Sequence, residues 1–244
     1  MNKKIKEAVI LAAGMGTRLS EQICEIPKGF IKFGDKTIIE ESIENLFSCN
    51  IEEIIIVTGH LSNFYEDLAK KYDRIKIVKN EKYSNSGSMY SLYCARNMLQ
   101  EDFLLLESDL IYEPRAIEEL LNFPKPNVIL ISGYTNAGDE VFIETKDNKL
   151  VNMSKDTTNL KNVAGELVGI SKVSIDLYKE MIRQSEEQFK NTLSLEYETD
   201  GFVNAAKKKS IFCHKVKNLI WCEIDDCRHY TNAKENIYPK IHRM

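Results

Sequence analysis

Apolar runs of strand length recur along the chain with helix-period stretches between them, the alternation that builds a parallel sheet covered by helices. The spacing predicts strands near 7–12, 51–57, 75–78 and 102–107. Thr37 to Cys49 carries Ile38, Ile39, Ile43, Leu46 and Phe47 at helical spacing. Asn63 to Tyr72 carries Phe64, Tyr65, Leu68 and Tyr72 in the same way, so both read as crossover helices. A third helix, Gly87 to Leu99, and a fourth, Pro114 to Asn122 with Pro at its first turn, flank the strand at 102–107. From Asn127 the runs shorten to Val128–Ser132, Glu140–Thr145, Leu150–Met153 and Glu166–Val173, separated by Asn, Asp and Gly. That rhythm predicts a mixed or antiparallel extension of the sheet. Helices at Ile175–Gln188 and Phe202–Lys208, strands at Ile211–Val216 and Ile220–Ile224 and a last helix from Asp226 to Tyr238 complete an α/β chain. No repeat, linker or low-complexity tract divides it, so 1–244 reads as one domain.

Composition narrows the partners. The chain's 33 Lys and Arg against 37 Asp and Glu leave a net charge of -4, so no broad basic surface exists for a nucleic-acid backbone. No apolar run approaches the ~18 residues of a membrane-spanning helix. The N-terminal Ala8 to Ala13 stretch follows lysines as a signal peptide would, yet it is short and runs into a glycine-rich loop, which makes it a buried first strand. The 6 cysteines form no CxxC pair and mostly sit in apolar-periodic segments, the usage of reduced thiols in a cytoplasm. Cys213, His214, Cys222, Cys227 and His229 crowd the last elements, but without the close pairs that structural zinc requires.

The loop after the first strand reads Leu11-Ala12-Ala13-Gly14-Met15-Gly16-Thr17-Arg18-Leu19. Glycines there let backbone N–H groups approach phosphate oxygens, and Arg18 adds charge. A dinucleotide fingerprint would want Gly or Ala where Leu19 stands and an acid near Val57-Thr58-Gly59-His60, and a Walker A loop would want GxxxxGK. Both are excluded. Glu107-Ser108-Asp109 and Ile224-Asp225-Asp226 end apolar strands, where carboxylates face the ligand crevice of open α/β sheets. Asp109 and Asp225 could share one Mg²⁺, a hard ion that takes carboxylate and phosphate oxygens, while Asp226 suits a helix N-cap.

Together with Pro27-Lys28, the loop resembles the signature of nucleotidyltransferases of the nucleotide-diphospho-sugar transferase fold. The resemblance implies a Rossmann-like α/β/α architecture with a mostly parallel mixed sheet. It also implies transfer of a nucleotidyl group from an NTP with release of pyrophosphate. By position it assigns the nucleotide to Leu11, Ala12, Ala13, Gly14, Gly16, Thr17, Arg18 and Lys28, with Lys28 at the phosphate under attack. Asn80 to Tyr93, with Ser86, Gly87 and Ser88, could read the base, and this segment and Trp221 to Asp226 are similar to cytidylyltransferases of aminoalkyl phosphorus acids. Its Ser-Gly-Ser-Met-Tyr-Ser-Leu form is closer to the 2-aminoethylphosphonate members than to the phosphocholine members. Residues 1–125 are then the CTP-binding half and 126–244 the acceptor-binding half.

The expected reaction is CTP plus 2-aminoethylphosphonate giving the CMP adduct and pyrophosphate, with Mg²⁺ on Asp109 and Asp225. Lys28 and Arg18 would act in catalysis. Asp139, Glu166 and Glu198 are candidate carboxylates for the ammonium, with Lys155 as a phosphonate clamp. Tyr134, Tyr197 and Trp221 could instead cage a choline head, which keeps phosphocholine as an alternative acceptor. A catalytically silent nucleotide-binding module is the alternative from another class. Some family members are fused to a transaminase handling the same amine, so a fused or separate transaminase is an expected companion.

Overall fold

The computed structural model describes residues 4–16, 18 and 25–242. Its strands are β1 (Glu7–Ala12), β2 (Glu53–Thr58), β3 (Ile75–Lys79), β4 (Phe103–Glu107), β5 (Leu110–Tyr112), β6 (Val128–Ser132), β7 (Phe142–Lys146), β8 (Lys149–Ser154), β9 (Val163–Val173), β10 (Phe212–Lys215) and β11 (Trp221–Glu223). The helices are α1 (Ile38–Ser48), α2 (Ser62–Ala69), α3 (Ser88–Cys94), α4 (Arg115–Asn122), α5 (Ile175–Gln188), α6 (Val203–Ala206), α7 (Cys227–Asn232) and α8 (Tyr238–Ile241). Nine strands form one sheet in the order β3-β2-β1-β4-β9-β6-β10-β8-β7, drawn from both halves of the chain. β1 to β4 are mutually parallel where they pair, and β9 enters antiparallel between β4 and β6.

Period-2 alternation explains why the central strands read as continuous apolar runs: both faces are covered. Val9, Leu11, Ile55, Val57, Phe103 and Leu105 pack into one core with Met89, Tyr178 and Phe202, while Ala8, Ile10, Ile54, Ile56, Leu104 and Leu106 pack into a second core with Ile43, Tyr65 and Ile117. α1 opens with a capping box in which the Thr37 side chain accepts from the Glu40 N–H and the Glu40 carboxylate accepts from the Thr37 N–H.

Three predicted helices are shorter or broken. α3 ends at Cys94 and tightens into a 3₁₀ turn over Ala95–Asn97. The segment read as a helix from Phe202 begins earlier, in a wide π turn over Tyr197–Phe202, and α6 stops at Ala206. The last helix passes through a π segment at Ala233–Ile237 before Pro239 starts its final turn in α8. β5 was absent from the sequence reading because three apolar residues directly after an acidic strand end carry no periodic pattern.

Candidate active site

A cleft of about 1370 Å³ opens at the C-terminal ends of β1 and β4, lined by the glycine loop, Lys28, the carboxylates after β4 and β11, and the loop 135–141. The glycine loop is held from beneath: the Leu11 carbonyl accepts from the Ser108 N–H at 3.1 Å. Gly16 has φ +62°, the left-handed conformation that favours glycine, and nothing lies within 4 Å of where a side chain on Gly14 would begin. Thr17, assigned to the nucleotide, lies outside the described residues.

Asp109 and Asp225 stand far apart in sequence, and the β5–β11 ribbon joins them. Glu223 pairs with Leu110 in that antiparallel ladder, and the Ile224 N–H donates to the Asp109 carbonyl at 3.1 Å, which brings both strand ends to one point. The Lys28 ammonium bridges the two carboxylates, 2.8 Å from Asp109 Oδ2 and hydrogen-bonded to Asp225 Oδ1. Arg18 reaches Asp225 Oδ2 at 2.9 Å. Gly29 lets the Lys28 turn press this close, because a Cβ there would stand 2.8 Å from the Ser108 carbonyl oxygen. Burial disfavours the Lys28 charge, yet Asp109 and Asp225 outweigh it and hold the ammonium well above its ordinary range. Asp225 is likewise penalised by burial, but bonds from Asp139 and Lys28 and the charge of Arg18 keep it well below the usual carboxylate range.

Two further carboxylates, Glu107 and Glu223, carry no assigned role in the sequence pattern although Glu107 stands at a strand end that faces the crevice. Each stands two residues before a metal candidate, so strand alternation puts Glu107 with Asp109 and Glu223 with Asp225; an E-x-D pattern at two strand ends was the available cue. Glu107, Asp109 and Glu223 offer oxygens within 4.8 Å of one another. Burial, with Glu198 and Asp109 nearby, pushes Glu107 up to about 8 although the Tyr197 hydroxyl donates to it. Burial and the carboxylates Glu107, Asp109 and Asp225 raise Glu223 well above its ordinary value. Glu198 is pushed to about 7, chiefly by burial, with Lys155 opposing the shift.

The other predicted residues fall into distinct surroundings. Ser86, Gly87 and Ser88 line the cleft, and their segment is stitched to residues 193–197: Gly87 N–H donates to the Leu193 carbonyl at 2.8 Å and Ser88 N–H to Glu196 at 3.0 Å. Glu166 is 1% exposed and accepts the Thr135 N–H and hydroxyl, so its oxygens anchor the 133–141 loop. Asp139 lies 3.7 Å from Arg18 and is pushed to about 6 by burial and by Asp225. It stands beside Asp225 and His229 and apart from Glu198. Asp226 caps α7, accepting from the N–H groups of Arg228 and His229. Among the described residues, the groupings with metal-ligand spacing contain no cysteine, and the described cysteines are free.

A divalent ion fits this donor set. The groups near Lys28 are carboxylates, the chemistry Mg²⁺ takes, and Glu107, Asp109 and Glu223 offer oxygens within 4.8 Å of one another.

A glycine loop after β1 and acidic strand ends facing it across a cleft define the Rossmann-like α/β fold of nucleotide-diphospho-sugar transferases. The chain belongs to the family described as a MobA-like NTP transferase domain, which matches residues 8–152. It is 25% identical over 214 residues to a CTP:phosphoglutamine cytidylyltransferase of Campylobacter jejuni, covering 85% of this chain and 81% of that relative. It is 27% identical over 209 residues to a 2-aminoethylphosphonate cytidylyltransferase of Lancefieldella rimae, covering 83% and 81%. For four other curated relatives the match spans 20% to 51% of their length. The inositol-1-phosphate CTP transferase from T. maritima superposes with a TM-score of 0.84 at 17% identity, over 100% of this chain and 97% of that one, a likeness of fold. Among the described residues no helix is long and apolar enough to cross a membrane.

Proposed function

We propose that the protein is a cytidylyltransferase that joins CTP to a small aminoalkyl phosphonate or phosphate, with 2-aminoethylphosphonate as the acceptor. The observation that carries this reading is the group of half-buried carboxylates Glu107, Glu198 and Glu223 in the same cleft as Lys155. A zwitterion with an ammonium at one end and a phosphonate or phosphate anion at the other satisfies both signs at once. The relatives named for amino-bearing phosphorus acids support it, since this chain is collinear with them over most of its length.

The phosphonate oxygen is already anionic, so it can attack the α-phosphorus without a general base. Lys28 would turn from the carboxylates toward charge at the α-phosphorus, and Arg18 with the loop N–H groups would hold the departing pyrophosphate. Asp109 and Asp225 would hold Mg²⁺, with Glu107 and Glu223 behind them; the bound ion neutralises phosphate charge. Glu198 would accept from the ammonium. Of the aromatic residues that could cage a choline head, Tyr134 is 61% exposed and outside the cleft wall, whereas Tyr197 and Trp221 line it, which makes phosphocholine the acceptor to compete against.

Incubation with CTP, Mg²⁺ and equal concentrations of 2-aminoethylphosphonate and phosphocholine, read by mass spectrometry of the CMP adducts, tests the reading. A kcat/KM ratio of at least roughly 10² in favour of the primary amine is expected, because trimethylation removes every N–H donor. Predominance of CDP-choline overturns the acceptor, and absence of any adduct overturns the activity.

A further inference from the structure

His229 lies outside the groups used above, yet it is the side chain through which α7 touches both Asp225 and the 133–141 loop. The Asp226 cap fixes its backbone, accepting the His229 N–H at 2.9 Å, and the ring folds back over the preceding residue. There the Asp225 N–H donates to His229 Nδ1 at 3.3 Å. A nitrogen that accepts an N–H has its lone pair in use, so the neutral ring carries its proton on Nε2. Nε2 stands 3.1 Å from the Ala137 carbonyl oxygen, which can only accept, and 3.6 Å from Asp139 Oδ1. The two bonds therefore require the same tautomer, and the buried ring leaves little room for water to replace either.

We propose that His229 is a positioning residue, a neutral imidazole that ties the backbone of Asp225 to the loop bearing Asp139. The same tautomer gives Nε2 no free lone pair, so His229 serves hydrogen bonds and not an ion, although Asp139, Asp225 and His229 offer atoms within 4.8 Å of one another. Thr135, Asn136, Ala137, Asp139 and Glu140 line the cleft, and Glu166 grips the loop only at Thr135. His229 anchors it again at Ala137, between Thr135 and the Val141 carbonyl, which accepts the Leu167 N–H at 2.9 Å. The link to catalysis rests on the function proposed above; the tautomer and the anchoring do not.

Two substitutions separate the two nitrogens. His229→Asn places an amide oxygen near Nδ1, able to accept from Asp225, and falls short of Ala137. His229→Gln places an amide N–H near Nε2, able to donate to Ala137, and leaves Asp225 without its acceptor. Mn²⁺ binding in the presence of CTP, followed by electron paramagnetic resonance, reads the Asp225 arm. Chymotryptic cleavage after the exposed Tyr134 reads the loop arm. The Gln variant should weaken Mn²⁺ about tenfold, the cost of roughly one hydrogen bond, with cleavage near the wild-type rate. The Asn variant should keep Mn²⁺ affinity within about threefold while cleavage accelerates about tenfold, the same allowance. Where turnover is measurable, the Asn variant should raise the acceptor KM more than it lowers kcat. Equal shifts in both variants, or no shift in either, overturn the proposal. The ¹⁵N spectrum of the wild-type ring decides independently of folding of the variants: a proton on Nε2 supports the proposal and a proton on Nδ1 overturns it. Should no aminoalkyl adduct form while these results hold, the functional reading fails and the anchoring stands.

Discussion

Asp225 and Asp226 are adjacent, but Asp225 is 4% exposed between Lys28 and Arg18 whereas Asp226 caps α7 beside the solvent-facing Arg228. Asparagine preserves the shape of both and the charge of neither. Asp225→Asn and Asp109→Asn should lower kcat on the order of 10²-fold or more, with little loss of fold, because a neutral amide is a poor ligand for a hard cation. Asp226→Asn should be far milder, since Asn caps a helix about as well as Asp. Steady-state rates at saturating Mg²⁺ check all three, and a near-wild-type rate for Asp225→Asn would remove it from the site. Lys28→Met should cost kcat more than the KM for CTP if the ammonium acts on charge at the α-phosphorus; a raised KM with unchanged kcat makes it a ground-state binder. At this scale the sequence exposed Lys28, Asp109 and Asp225, because strand ends and a motif mark them. It hid that Lys28 lies between the two acids, since a contact between side chains from three separate elements leaves no local pattern.

The joining of elements is where sequence pattern was weakest. The parallel half of the sheet is legible because each strand is a long apolar run between helices at regular spacing. The β5–β11 ribbon is three residues a side, and although β11 lies in the predicted strand at 220–224 its partner β5 is unpatterned, yet their pairing is what carries Asp225 to Asp109. The contact between residues 86–89 and 193–197 was equally invisible, and it gives a glycine pair that separates fold from site. A Cβ on Gly87 would stand 2.2 Å from the Leu195 carbonyl oxygen, a backbone atom that can move only by parting the two segments. Gly87→Ala should destabilise by about 1–3 kcal/mol, the range for overpacking. Gly14→Ala meets nothing within 4 Å, so its melting temperature should match wild type while its KM for CTP rises, the methyl intruding where phosphate oxygens approach. Thermal melts and CTP titrations together distinguish the cases; a stability loss in Gly14→Ala as large as in Gly87→Ala would contradict the assignment of that loop.

Across the whole molecule, the sheet gathers more acid than base at one end. Glu107, Glu198 and Glu223 are half-buried and held protonated by desolvation and by the charge of neighbouring carboxylates, and Lys28 is already shared by Asp109 and Asp225. A net charge of -4 spread over the chain gave no hint of this concentration. Its consequence is a dependence of stability on pH with a definite sign. Unfolded glutamates titrate near ~4.3, whereas folded Glu107 keeps its proton up to about pH 8 and Glu198 up to about 7. Between those limits the folded protein binds more protons than the unfolded chain, so stability is greatest on the acid side and falls as pH rises. The depressed Asp225 acts oppositely, but below the unfolded aspartate value of ~3.9, outside this window. The melting temperature of the metal-free protein should therefore decline from about pH 5.5 to about pH 8.5, at roughly 2–4 °C for each kcal/mol lost in a domain of this size. Glu107→Gln and Glu198→Gln should each flatten that decline, because an amide is neutral at every pH. CTP, Mg²⁺ and the amine acceptor together should flatten it too, by supplying positive charge in place of protons. A wild-type profile that is level or rises over this range, or a slope unchanged in both variants, would show that these carboxylates are not the groups holding the protons.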